Sequence, residues 1–196
     1  PVAGSYSGAI GLQRVGDVTF SGAAHARANA QLGHGGYFAN GDHSGDIEIG
    51  SSGALTFSAA AAAAAYAQLG HGGYNADGDH SGAIRISQTA ALTLSAAAGT
   101  AAYAQLGHGG YSSAGNLNGQ INLDNVGDVR LSGGNALLAY AQIGHGGYVA
   151  RGDHNGALTL TSRGALQVVA GAGRSAYSQV GHGGYDADGN HSGAVN

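Results

Sequence analysis

A heptapeptide returns along this chain at a spacing that never varies. Gln-Leu-Gly-His-Gly-Gly-Tyr occupies residues 31–37, and with Leu, Ile or Val second it recurs at 68–74, 105–111, 142–148 and 179–185. His34, His71, His108, His145 and His182 therefore stand 37 residues apart each time. A fixed period of this size marks a repeat architecture, in which no unit can bury its apolar face alone and each must stack on the next.

Laying the repeats over one another brings out the strands. One column holds Ile10, Ile47, Ile84, Ile121, Leu158 and Val195, and two residues on come Leu12, Ile49, Ile86, Leu123 and Leu160. A second pair of columns holds Val18, Leu55, Leu92, Val129 and Leu166, then Phe20, Phe57, Leu94, Leu131 and Val168. Mostly polar residues such as Glu48, Arg85, Thr56 and Thr93 fill the places between. Apolar, polar, apolar at spacing two is the period of a half-buried strand. A third strand is expected through Ala-Tyr-Ala-Gln-Leu-Gly, ending at Leu32, Leu69, Leu106, Ile143 or Val180, with Gly-, Asn- and Asp-rich turns as punctuation.

One stretch reads against this. AAAAAAAYAQ from Ala59 has high helix propensity. Its equivalents elsewhere contain Gly133, Gly134 and Asn135, or Gly171 and Gly173, which a helix interior tolerates poorly. A strand or a solenoid corner accommodates every copy, and a helix only one. The expected fold is an all-β, right-handed parallel β-solenoid (β-helix) with 37-residue repeats and three short strands per repeat. One rung per repeat is expected, because no half-period similarity is visible. The hand is expected from the usual chirality of parallel crossovers and from the family resemblance given below, not from this pattern. Residues 1–196 read as one continuous array with incomplete repeats at both ends, a piece of a longer chain or a protomer that stacks.

Composition narrows the function. Gly is 39 of 196 residues, about three times its usual share, and only 9% of residues are charged. A net charge of −4 offers no basic stripe for nucleic acid. No apolar run reaches membrane-spanning length. There is no cysteine, so no disulfide framework.

The AYAQLGHGGYNADGDHSGAIRI segment, followed by ALTLSAAAG, resembles the repeat region of large secreted bacterial β-helix exoproteins. These are the filamentous-haemagglutinin-like adhesins exported by two-partner secretion, and the resemblance covers nearly the whole chain. It implies an extracellular or cell-surface location and a structural shaft serving adhesion, biofilm matrix or a sheath. The family's secretion domain and receptor-binding tip have no counterpart in this segment. End-to-end or lateral self-association into a fibre, and a cell-surface or glycan partner, are implied with it.

The heptapeptide itself calls for chemistry. Gln, Gly, His, Gly, Gly and Tyr persist in all five turns while the strand segments between them change, from IRISQTAALTL to INLDNVGDVRL. Gly-His-Gly-Gly lets the backbone adopt φ > 0 and lets rungs approach closely. In-register stacking would place His34, His71, His108, His145 and His182 in an imidazole ladder. Gln31, Gln68, Gln105, Gln142 and Gln179 would form an amide ladder. Tyr37, Tyr74, Tyr111, Tyr148 and Tyr185 would stack as one aromatic stripe, and Tyr66, Tyr103, Tyr140 and Tyr177 as another. These columns are read as structural locks. Protonation would set like charges a rung apart, so the ladder histidines should stay neutral below their ordinary pKa.

Metal binding is the competing reading, since histidine is a common ligand. Its candidates are the same five ladder histidines. A second column, His43, His80, His154 and His191, is interrupted by Leu117. Its neighbouring acids vary between Asp42, Asp79, Asn116, Asp153 and Asn190, and two residues earlier the chain has Asn40, Asp77, Ala114, Arg151 and Asp188. An obligatory Ca²⁺ site would not accept Ala or Arg among its ligands. Catalysis requires a singular cluster of acids, bases or cations, and here polar residues repeat or scatter. His25, outside both columns, reads as a surface residue. The expectation is a non-enzymatic protein without cofactor, and a metal- or glycan-binding array is the alternative.

Overall fold

The computed structural model describes residues 2–196 and contains strands, turns and bends but no helix among them. Every strand pairs in parallel with its equivalent 37 residues away. Ile47–Ile49 pairs with Ile84–Ile86. Ser52–Ser58 pairs with Thr89–Ser95, and Tyr66–Leu69 with Tyr103–Leu106. One rung therefore consumes one repeat, and about five turns form the β-solenoid. In the third turn the first two strands run together as Ile121–Ser132. A register irregularity between Leu123 and Val126 marks its pairing with the fourth turn.

Each turn carries the three strands expected and two shorter pairings besides. In the second turn these are Gly72–Tyr74 and His80–Ser81. They build a four-stranded and a six-stranded sheet along the axis, beside the nine-stranded and five-stranded sheets of the longer strands.

Residues 59–65 form a corner, not a helix. Ala64 there has φ 56°, and Arg27, Ala101, Leu138 and Ser175 take the same left-handed conformation at the equivalent places. The corner is bonded along the axis, with Ala64 N–H donating to Thr100 O at 2.9 Å. Backbone pairing between turns thus overrides the local helix propensity of the alanines.

The rung has two lobes. Ile47, Ile49, Leu55 and Phe57 point inward and are fully buried, while Glu48 between them is exposed. Ala67 and Leu69 close this apolar core from the facing strand. The same strand turns its other side, Tyr66 and Gln68, into a second buried layer. All four residues of Tyr66–Leu69 are consequently buried, as suits a parallel strand covered on both faces. It is a wall between an apolar lobe and an outer lobe, and the Gly-His-Gly-Gly turn is what folds the chain back over it.

Candidate functional site

The outer lobe holds every residue that recurs without exception. Gly72 and Gly73 explain why the turn needs two glycines. Both have positive φ, at 104° and 138°. A Cβ on Gly72 would lie 2.5 Å from Gly109 O and 3.0 Å from the His80 ring. On Gly73 it would lie 2.9 Å from the Tyr66 hydroxyl and closer still to Gly36 O.

The five ladder histidines stack with ring centroids 4.8 to 5.0 Å apart. His34 N–H donates to His71 Nδ1 at 2.9 Å, and His71 N–H to His108 Nδ1 at 3.0 Å; His108 and His145 repeat the bond to the ring above. Each Nε2 faces a glycine carbonyl, as in His71 to Gly45 O at 2.8 Å and His108 to Gly82 O at 2.9 Å. A carbonyl only accepts and a backbone N–H only donates, so the proton sits on Nε2. His71, His108, His145 and His182 are thereby neutral, with both nitrogens engaged. Burial is the largest cause pushing these rings down, His71 to about 4, His145 to about 3 and His108 well below its ordinary 6.5. His182 is lowered for the same reason.

The glutamines do not form an amide ladder. Gln68 Nε2 reaches His71 O at 3.3 Å in its own turn, and Gly107 O and Gly109 O of the next turn at 3.1 Å each. Its Oε1 accepts from the Tyr103 hydroxyl at 3.4 Å. Gln31, Gln105 and Gln142 repeat this pattern, and Gln179, in the last turn, holds His182 O. The amide is a staple from one turn to the next, because an amide N–H finds more acceptors in the glycine carbonyls than in another amide.

Both tyrosine stripes stack. Tyr66, Tyr103, Tyr140 and Tyr177 lie 4.7 to 5.0 Å apart with rings within 2° of parallel. The first three are fully buried. Tyr37, Tyr74, Tyr111, Tyr148 and Tyr185 stack at 4.6 to 5.3 Å, half-buried along most of the stripe and exposed at Tyr185. Burial raises the hydroxyls of Tyr74, to about 12, and of Tyr111 and Tyr148.

The second histidine column also belongs inside. His43, His80 and His154 are fully buried and Leu117 is 1% exposed. His80 Nε2 faces Ala76 O at 3.2 Å, which leaves its Nδ1 to accept from His43 Nδ1 at 3.2 Å. His43 Nε2 and both nitrogens of His154 have no partner among the described residues. Burial holds His43 and His154 down at about 4. The interruption at Leu117 was itself the signal: a column that accepts either His or Leu is an interior column.

A further set of residues was not read from the sequence as a unit. Asp42 Oδ1 accepts the N–H of Asp79 at 3.0 Å, and Asp79 Oδ1 that of Asn116 at 2.7 Å. Asn116 does the same for Asp153, and Asp153 for Asn190. Each side chain caps the turn above it. Asp and Asn interchange here because the role needs one acceptor oxygen, not a charge. That interchange was the available sign.

Among the described residues, no three His, Cys, Asp or Glu side chains converge as a metal site. Consecutive ladder rings are within 12° of parallel and about 5 Å apart, so their lone pairs run side by side. They cannot meet at one ion with bonds of about 2.0–2.1 Å. No helix among the described residues is long and apolar enough to cross a membrane. No family model, curated protein or solved structure matches the chain.

Proposed function

We propose that the chain is a non-catalytic shaft segment of an extracellular bacterial fibre or adhesin. The observation that carries this reading is axial continuity. Strand pairs keep the 37-residue register, apart from the one irregularity between Leu123 and Val126, and staples, rings and caps tie each turn to the next. Such a stack is a stiff rod whose length scales with its number of turns, about 4.8 Å for each. End-to-end or lateral self-association into a fibre goes with this reading.

The geometry does not favour a glycan- or metal-binding array. Tyrosine ring faces, the surfaces that stack on sugars, are covered by the neighbouring rings. The ladder imidazoles already use their nitrogens. Labelling of intact source cells with antibody to the chain tests the proposal. Surface labelling along filaments is expected, and labelling that appears only after lysis would overturn it.

A further inference from the structure

Between the wall strands and the outer strands lies a layer in which seven histidines must be neutral to pack. In His71, His108, His145 and His182 the Nδ1 lone pair accepts a backbone N–H of the turn below. His43, His80 and His154 are fully enclosed. The apolar lobe on the other side of the wall consists of Ile, Leu, Val, Phe and Ala, with nothing to titrate.

We propose that acid opens the outer lobe as a unit while the apolar lobe stays folded, so that one side of the solenoid is a pH-operated flap. A proton on His71 Nδ1 would confront the His34 N–H, exchanging a hydrogen bond for two opposed donors. Like charges would then stand about 5 Å apart along the ladder. On the wall side of the layer the glutamine amide holds the histidine's backbone carbonyl, Gln68 to His71 O, and the tyrosine hydroxyl holds the amide, Tyr103 to Gln68 Oε1. From the outer strands, the second column faces them, with Asp42, Asp79 and Asp153 alongside. The flanking carboxylates, Asp42 beside His43 and His80 and Asp153 beside His154, raise the rings' pKa, yet burial outweighs them and all three rings remain lowered. At the rim Asp46 is paired with Arg85 at 2.7 Å.

The sign follows from the direction of these shifts. In the opened lobe the rings return to their ordinary 6.5, while in the closed lobe His43, His71 and His154 lie at about 4. The closed form is fully favoured above pH 6.5 and loses ground as pH falls from there towards 4. Opening would uncover the Tyr66–Tyr103–Tyr140 stack without breaking the axial bonds of the wall strands.

Hydrogen exchange of the full chain, read by mass spectrometry from pH 7.5 to 4.5 and corrected for intrinsic rates, tests this. Segments 70–82, 107–119 and 144–156 should lose protection by about tenfold or more, while 84–95 and 121–132 keep theirs. Loss in both sets together, or in neither, overturns the proposal. A variant carrying His43→Leu, His80→Leu and His154→Leu copies what Leu117 already does in the third turn. Its opening midpoint should move to lower pH by about half a unit, and an unmoved midpoint also overturns the proposal. Should that variant not fold, the wild-type exchange pattern decides alone.

Discussion

The apolar lobe and the outer lobe share a wall and a period, yet they treat their residues differently. On the apolar side one column runs Val18, Leu55, Leu92, Val129, Leu166 and the next Phe20, Phe57, Leu94, Leu131, Val168. On the outer side Gln, Gly, His, Gly, Gly and Tyr do not change in five turns. Apolar burial is non-directional and scales with area, so any hydrophobe of similar volume serves. In the outer lobe most polar atoms have assigned partners, and a substitution leaves a buried donor or acceptor unsatisfied. The lobe held by direction is rigid in sequence; the lobe held by area is permissive.

Acid should separate the two lobes most strongly. His71, with a folded pKa of about 4 against 6.5 unfolded, forfeits about 2 kcal/mol between pH 8 and pH 5, and six other histidines shift the same way. A melting temperature flat from pH 8 to 6.5 and falling steeply below is expected in calorimetry; a flat profile down to pH 4.5 would contradict the neutral ladder. Next in size is Gly110→Ala, whose Cβ would lie 2.8 Å from the Tyr103 hydroxyl at φ 139°. It should cost about 3 kcal/mol or more in denaturant unfolding, whereas Gly11→Ala, with open space around it, should cost little.

A matched pair of near-isosteric changes sharpens the contrast. Gln105→Glu puts a carboxylate against three carbonyl oxygens and should cost roughly 3 kcal/mol at pH 7. Leu94→Ile in the apolar lobe should cost less than about 1.5 kcal/mol by the same measurement. Equal costs would erase the distinction. The smallest effects belong to the caps. Asp79→Asn is expected to change stability by under about 0.5 kcal/mol, and Asp79→Ala by about 1 kcal/mol, since only the latter leaves the Asn116 N–H without its acceptor.

The apolar lobe was the legible half. Period-two alternation placed Ile47, Ile49, Leu55 and Phe57 in the core, and Gly133 and Gly171 ruled out a helix over the corner. The outer lobe was visible as recurrence but not as architecture. Tyr-Ala-Gln-Leu alternates like a strand with one wet face, and nothing local says that a second layer covers Tyr66 and Gln68. Recurrence picked out the glutamines, yet sequence does not distinguish an amide facing amides from one facing carbonyls. In sequence His43, His80 and His154 read as a broken ligand column, because a ligand column cannot contain Leu117 although an interior one can.

The constant register has a kinetic consequence. Each turn's pairing, staples and caps join residues about 37 positions apart, whichever turn they lie in. Closing the next turn therefore costs the same loop entropy in a chain of five turns as in one of fifty. Nor are the ties symmetric: glutamine amides and Asx oxygens of one turn reach towards its C-terminal neighbour. A finished turn is thus a template with a sense, and ordering can advance like a zipper at constant cost per tooth.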